Sequence, residues 1–402
     1  MRLDRLRSAG RRSVKIILQR GFNALSSYGF SCILFLFLFV LTYLGTIEQV
    51  THGLYETSRK YFESVFLTHY LWGVVPVPLP GAYLLLVLLA LNLVACAFAR
   101  KRVSWARTGV LLAHAGILLL LFGAFLSFQR SQQGQLTLYE NEHAHEFQSY
   151  QQWEIGLCPL AKPGTTVEER IISPRDLAQG KRNAPVSFEF PGLPIRLTVS
   201  DFARNARPQS ISGSPAAGKA IDGVALMALP PARDGETNIP GAYVTLEDLS
   251  SGEQREGVLW GAARSPLALE LGGVSWAIEL RRQRWTLPFQ VTLDSFVREV
   301  YPRTSIPKVF ESTVTVRDGD LEQRFKIAMN EPLRYKGYTF FQSSWGPPNA
   351  GPNDRLYSTL AVVKNPAEKF PLYASAVISL GMSIHFGLAL IPRLKNRRRR
   401  TA

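Results

Sequence analysis

Cysteine is scarce in this sequence and is never arranged as a pair. The three cysteines are Cys32, Cys96 and Cys158, and none belongs to a Cys-x-x-Cys motif. Cys32 and Cys96 lie inside apolar runs, where a thiol behaves as a small hydrophobic group. Cys158 is then left with no partner for an internal disulfide. The pattern argues against both a disulfide framework and a thiol-redox enzyme.

Charged residues are also few, and their placement is uneven. They make up 19% of the 402 residues, against 46% hydrophobic residues. The net charge of +15 comes from three short clusters beside apolar runs: seven Lys/Arg and one Asp in 1–20, four Lys/Arg in 100–107, and six in 393–400. A nucleic-acid-binding protein spreads its basic side chains over a folded face. The clusters instead resemble the charges that orient membrane spans.

Four apolar segments approach the length of about 20 residues that crosses the hydrocarbon core of a bilayer. They are residues 29–44, 82–99, 109–128 and 372–391. The basic clusters precede the first, separate the second from the third, and follow the fourth, so both termini are expected in the cytoplasm. No small-residue cleavage site follows the first segment, which is expected to remain as an anchor. We predict a multi-pass protein of the bacterial inner (plasma) membrane.

This topology divides the chain into expected regions. They are a basic cytoplasmic N-terminus at 1–28, three transmembrane helices within 29–128 with an outer segment at 47–81, an extracytoplasmic, periplasmic β-rich domain at 129–371, the fourth helix at 372–391, and a basic cytoplasmic tail at 392–402. The outer segment is rich in aromatic residues, which predicts a helix at the membrane interface that stops before Pro76. A solvated loop that contains aromatics is the alternative.

The long segment alternates apolar and polar residues, as strands do. Residues 193–204 also resemble residues 287–298, and related hairpins follow each copy, beginning at Val244 and at Val314, with Gln254-Arg255 aligned with Gln323-Arg324. Chance similarity between amphipathic strands is the alternative. Residues 205–241, rich in Ser, Gly, Pro and Ala, are expected to be a poorly packed excursion. The predicted fold is a polytopic α-helical membrane protein with four transmembrane helices (3+1) and a large all-β domain, with a duplicated sandwich or a barrel as its candidate architecture.

Five stretches of the sequence form a recognisable set: Leu44–Gln49, His114–Gly123, Gly134–Glu140, Met329–Trp345 and Val362–Pro366. Together they resemble the ResB/CcsB family of cytochrome c biogenesis proteins. The resemblance follows the family order along nearly the whole chain and is weakest between residues 158 and 272. It implies a complex with a CcsA/ResC-type haem-handling partner that conveys haem across the membrane and attaches it to apocytochrome c. A thioredoxin-like thiol reductant is a further expected partner. The chain lacks the partner's tryptophan-rich motif, so it is expected to be a non-catalytic or co-catalytic half.

Two of the six histidines, His114 and His385, lie within predicted spans, where an ionisable side chain is costly and a functional role is the default hypothesis. Both are expected at a similar depth, so the two could in principle clamp a haem between helices. The family resemblance favours His114 as a haem ligand. A histidine that is simply hydrogen-bonded inside a helix interface is the alternative, and it is the stronger reading for His385.

Other histidines flank or follow the spans. His52 and His69 lie in the outer segment and are further candidate haem ligands, although the resemblance assigns the outer ligands to the partner. His143 and His145 lie in an acidic stretch, where a divalent metal is conceivable. A solvated loop is the more frequent explanation, and no metal besides haem iron is predicted.

Within the Met329–Trp345 stretch, six residues are candidate contacts to the partner or to apocytochrome c. They are Asn330, Glu331, Pro332, Gly337, Gln342 and Trp345. The stretch contains no nucleophile–base pair, and a purely structural turn explains it equally well.

A membrane-anchored envelope scaffold or sensor, whose β-domain binds a partner protein, is the alternative function. An autonomous ion-coupled transporter is disfavoured, because the spans carry no carboxylate.

Overall fold

The structure, a computed structural model, describes residues 18–99, 105–160, 168–178, 184–210, 219–302, 307–347 and 354–401. It divides into two compact units, one formed by Met1–Ser131 with Asn365–Ala402 and the other by Gln132–Lys364. The helices are α1 Tyr28–Tyr61, α2 Ala82–Ala99, α3 Trp105–Arg130, α4 Pro174–Ala178 and α5 Phe370–Thr401. All but α4 belong to the first unit.

The strands are β1 Phe66–Leu71, β2 Val75–Pro80, β3 Gln132–Tyr139, β4 His143–Pro159, β5 Arg170–Ile172, β6 Val186–Glu189, β7 Ile195–Ala203, β8 Ala206–Ser210, β9 Ala220–Ile221, β10 Val224–Ala228, β11 Gly241–Asp248, β12 Gln254–Trp260, β13 Leu267–Leu271, β14 Val274–Val300, β15 Pro307–Asp318, β16 Leu321–Ala328, β17 Leu333–Tyr335, β18 Tyr338–Gly346 and β19 Tyr357–Lys364. Only β1 and β2 lie in the helical unit.

Within the described part of the chain, four helices are long and apolar enough to cross a membrane: α1, α2, Thr108–Arg130 of α3 and Phe370–Leu390 of α5. Each coincides, to within a residue at its end, with one of the predicted apolar segments or contains it. Helix α1 begins at the N-cap Ser27, whose side chain accepts a hydrogen bond from the Phe30 amide at 3.2 Å. Its helical residues extend beyond the predicted end of the first segment, to Tyr61, with a break at Gly53, whose φ and ψ are not helical.

A buried asparagine ties the beginning of α1 to α2. Asn92 is 1% exposed. Its amide donates to the Leu25 carbonyl at 2.5 Å, and its side-chain oxygen accepts from the Ser31 hydroxyl at 2.7 Å. A polar group at this depth needs such partners, because an unmade hydrogen bond in apolar surroundings is expensive.

The segment before α2 is a β-hairpin, so the prediction of an interfacial helix that stops before Pro76 was wrong for residues 66–75, whereas the residues up to Tyr61 are helical. Strands β1 and β2 pair antiparallel, with Phe66 opposite Pro80 and Tyr70 opposite Pro76. Residues 72–74 connect them, and Trp72 and Gly73 have positive φ angles of 52° and 76°. The prolines recur at every second position of β2 and so do not interrupt the ladder.

The second unit is built mainly on two sheets. Ten strands form the larger sheet, with the order β16-β15-β14-β4-β3-β19-β18-β17, while β13 pairs with β14 and β5 with β4. Four strands form the other, in the order β12-β11-β7-β6. Among the residues that the structure describes, neither sheet closes into a barrel, so the barrel alternative is excluded for this part of the chain.

The two copies of the sequence repeat pair in the same register. In the first, Leu246 on β11 lies opposite Leu197 on β7. In the second, Val316 on β15 lies opposite Val291 on β14. The next strands differ slightly, because Arg255 pairs with Leu246 whereas Gln323 pairs with Val316. The structural equivalence is therefore displaced by one residue from the sequence alignment of the hairpins.

Each copy of the repeat contributes to its own hydrophobic core. The β7 copy, including Leu197 and Val199, belongs to a cluster with Ile155 and Ile278. The β14 copy, including Val291, belongs to a separate cluster, which also contains residues of β3 and β19, the first and last strands of the unit. The 27 residues of β14 run through both cores, because its first half enters one and its second half enters the other.

The residues described within 205–241 contain strands that the sequence did not predict, although most of these residues are exposed or half-buried. Strands β8, β9 and β10 form a three-stranded sheet. It is fastened to the rest of the unit by Tyr243, whose hydroxyl donates to the Lys219 carbonyl at 2.5 Å and accepts from the Leu226 amide at 2.9 Å. Residues 211–218 of the predicted excursion lie outside the described part.

Candidate functional site

His114 lies in the first half of α3, and its ring is held by its own helix. The Nδ1 atom is 2.7 Å from the Val110 carbonyl oxygen, one helical turn earlier. A carbonyl oxygen can only accept, so Nδ1 carries the hydrogen and donates it. The other ring nitrogen, Nε2, then has an available lone pair. This is the tautomer in which a neutral imidazole binds a metal.

Helices α3 and α5 pack against each other along a seam of small residues. A methyl group built on Gly381 of α5 would lie 2.6 Å from the Ala113 amide nitrogen, and one built on Gly116 of α3 would lie 2.6 Å from Ile378 Cγ1. A methyl group on Gly109 would collide with the backbone of His385. Because the backbones approach this closely, the seam has no room for a porphyrin between the two helices.

His385 lies at this seam, on the side of α5 that meets α3. Its Nδ1 atom is buried without a hydrogen-bond partner. His114 lies on a different face. Successive residues are about 100° apart around a helix, so His114 is about 100° from Ala113 and about 160° from Gly116. The two span histidines therefore do not face each other across the seam.

A second group of polar side chains surrounds Glu48, near the end of the first predicted segment. Its carboxylate oxygens accept from Lys60 Nζ at 2.7 Å and from the Tyr61 hydroxyl at 2.5 Å. His69 Nδ1 is 2.6 Å from the Tyr61 hydroxyl and 3.6 Å from Glu48. His52, with a side chain 65% exposed, lies 3.8 Å from the same carboxylate. The structure thus brings His52 and His69 to one carboxylate.

The six candidate contact residues fall into two environments. Asn330, Glu331 and Gly337 are exposed at turns, and Asn330 and Gly337 have positive φ angles of 68° and 80°. Pro332 between them is half-buried. The second turn is held by Asp318, which accepts from the Tyr335 hydroxyl at 2.9 Å and pairs with Lys336. These partners, Lys336 first, lower the pKa of Asp318 below its usual value.

Gln342 and Trp345, both on β18, instead contact side chains of other strands. The Gln342 side chain accepts from the Ser312 hydroxyl at 2.7 Å and donates to the Ser358 hydroxyl at 3.0 Å, where both serines are buried. Trp345 lies under the guanidinium of Arg298, 4.2 Å from its ring centroid. These contacts give both residues a structural role, and the contact of all six residues with a partner or with apocytochrome c stays a prediction.

His143 and His145 are exposed residues of β4. Among the residues that the structure describes, no group of three His, Cys, Asp or Glu side chains is arranged to hold a metal ion.

The fold and these sites define a class of protein with four helices long enough to span a membrane, a histidine presented by one of them, and a large β-rich domain. Residues 274–386 match the model of the ResB-like family. This match supports membership of the ResB/CcsB family and confirms the resemblance drawn from the sequence motifs. No curated protein matches the chain.

The family implies a role in cytochrome c biogenesis together with a partner membrane protein. The matched segment runs from β14 into α5 and includes the Asn330–Trp345 stretch and His385, whereas His114 lies outside it.

Glu48 and Tyr61 belong to the second group of polar side chains but were not predicted as site residues from the sequence. Glu48 lies inside the Leu44–Gln49 motif, and a carboxylate that follows an apolar span is itself a signal. Tyr61 gave no such signal, because its hydrogen bond to Glu48 depends on the reversal of the chain between them.

Proposed function

We propose that this protein is a subunit of a cytochrome c maturation complex that conveys haem across the membrane and supports its covalent attachment to apocytochrome c. It acts with a CcsA/ResC-type partner. The chain crosses the bacterial inner membrane with both termini in the cytoplasm and the β-rich unit outside. The ResB-like match and the three basic clusters beside the spans support this arrangement.

The observation that carries the proposal is the hydrogen bond of the His114 side chain, which fixes the tautomer of its ring. Its Nδ1 is engaged by Val110, so its Nε2 is the atom that would bind haem iron. Haem brings an iron with two axial positions, and a neutral imidazole suits one of them. Because His114 points away from the α3–α5 seam, the haem would lie outside this helix pair, and the second ligand would come from the partner.

The test is the His114→Ala variant, expressed with its partner and purified in detergent. We expect most of the co-purified haem to be lost, as measured by the Soret absorption and by pyridine haemochrome content. Cytochrome c maturation should fail, and added imidazole should restore part of it, because a free imidazole can occupy the vacated position. His385→Ala should keep its haem, because His385 faces the tight seam.

Normal haem content and normal maturation in His114→Ala would contradict the ligand assignment. A protein and partner that co-purify without any Soret band would instead favour the scaffold or sensor function.

A further inference from the structure

Helix α1 reverses direction at Gly53, and this reversal assembles a site from distant residues. Gly53 has φ 77° and ψ 165°, far from helical values. Glu48 and Lys60 are 12 residues apart, which would separate them by about 18 Å along a straight helix. Instead, Lys60 Nζ lies 2.7 Å from Glu48. The returning segment packs on Gly45, where a methyl group would lie 3.7 Å from Thr57 and from Tyr61.

The reversal creates a directed chain of hydrogen bonds that ends at His69. The Tyr61 side chain is fully buried, and its hydroxyl donates to Glu48 Oε2 at 2.5 Å. A phenol has one hydrogen, so the same oxygen can only accept from His69 Nδ1, which is 2.6 Å away. His69 is therefore fixed as the tautomer with a hydrogen on Nδ1 and a lone pair on Nε2.

We propose that His69 Nε2 is an axial ligand for haem iron at the outer end of the first two spans, with Tyr61 and Glu48 as positioning residues. This inference rests on the proposed haem-conveying function. A carboxylate behind a histidine ligand orients the ring and increases its basicity. Haem fits better than a bare cation, because the described residues offer no three-ligand metal cluster and a porphyrin brings four of its iron's ligands itself.

The surroundings of His69 suit a flat apolar group. Side chains alternate between the faces of a strand, so His69 shares its face with Leu67 and Leu71. Val77 lies directly opposite on β2, and Val75 lies opposite Leu71. Leu67 is buried, whereas Leu71 and Val75 are 36% and 48% exposed. An accessible apolar surface thus lies beside the imidazole, and no residue of the hairpin carries a charge.

The test titrates hemin into the full-length protein, purified in detergent without its partner, so that haem ligands of the partner do not contribute. His114→Ala serves as the parent, so that binding at the inner histidine does not contribute. The Soret shift reports ligation. Adding His69→Ala should remove the remaining histidine-ligated spectrum. Adding Tyr61→Phe, which deletes one hydroxyl, should weaken hemin binding by about 10- to 100-fold. Tyr70→Phe is the matched control, because Tyr70 lies on the opposite, exposed face of β1, and it should bind as the parent does.

Equal hemin affinity and equal spectra for the parent and the His69→Ala variant would overturn the proposal, as would equal effects of Tyr61→Phe and Tyr70→Phe. The two haem hypotheses fail separately. If His114→Ala keeps its full haem content and His69→Ala alone loses it, the inner-ligand assignment is wrong while the His69 site stands.

Discussion

At the scale of single residues, Arg281 of the β-rich unit pairs with three carboxylates. Its guanidinium contacts Glu154 at 3.1 Å, Glu169 at 2.6 Å and Glu279 at 3.1 Å. Glu154 is almost completely buried. Burial raises the pKa of Glu154, and the hydrogen bond from Arg281 acts in the opposite direction. Removing Arg281 therefore leaves a buried carboxyl group without its main compensation.

We expect Arg281→Met to lower the free energy of unfolding by about 3 kcal/mol at neutral pH, as for other buried pairs that lose one partner. The pKa of Glu154 should rise further in the variant, so its folded state binds the proton more tightly than its unfolded state. Stability then falls as the pH rises above the usual carboxyl range. Urea unfolding at acidic and neutral pH, followed by tryptophan fluorescence, measures this.

Arg317→Met is the control for this change, because the Arg317–Glu322 pair is exposed and should contribute less than about 1 kcal/mol. Equal stability losses in the two variants, or a loss at Arg281 that does not depend on pH, would contradict the account.

Single residues also differed in how well the sequence predicted them. His114 was identifiable because a histidine inside an apolar run is unusual. The Gln342 network was not, because its partners Ser312 and Ser358 lie on other strands and only the sheet register brings them together.

At the scale of elements, the α3–α5 pair depends on close backbone contact. A methyl group on Gly381 would meet the backbone of Gly109 and Ala113, at 2.7 Å from the Gly109 oxygen, whereas one on Gly387 would meet nothing within 4 Å. Gly381→Ala should therefore force the helices apart and lower the thermal unfolding temperature in detergent. Gly387→Ala should leave it unchanged or raise it, because alanine is favoured over glycine in a helix by about 1 kcal/mol.

The two substitutions add the same atoms to the same helix, so helix propensity cannot explain a difference between them. Equal unfolding temperatures would show that the seam does not hold the pair together.

The elements that the sequence predicted best were those with a strong local pattern. Four apolar runs became four helices, and alternating apolar residues became strands. The β1–β2 hairpin was missed, because three prolines in six residues normally argue against a strand. The reversal at Gly53 was also missed, because a single glycine within a helical pattern does not reveal its φ angle.

At the scale of the whole molecule, the β-rich unit contains both of its hydrophobic cores. Every member of the two clusters lies between Leu136 and Val362. We therefore expect residues 132–364 to fold when expressed without the helices. Far-UV circular dichroism should give a β-sheet spectrum, and unfolding by urea should be cooperative. A fragment with a disordered spectrum and no unfolding transition would contradict this expectation.

The repeat gave the best long-range prediction, since the paired register of β7 with β11 recurs in β14 with β15. Sequence similarity between strands cannot reveal that β14 contributes to two hydrophobic cores. Its contribution depends on which sheet each half of the strand faces in the folded unit.

The prolines of β2 have a consequence for how the hairpin meets other proteins. In an antiparallel pair, a proline fits only where its nitrogen points away from the neighbouring strand. Pro76, Pro78 and Pro80 therefore remove the N–H donors that would otherwise point outward from the free edge of β2. A third strand cannot be added there by regular backbone pairing, so this edge of the hairpin is protected from edge-to-edge aggregation even where its side chains are apolar. Any protein that binds this edge must recognise side chains.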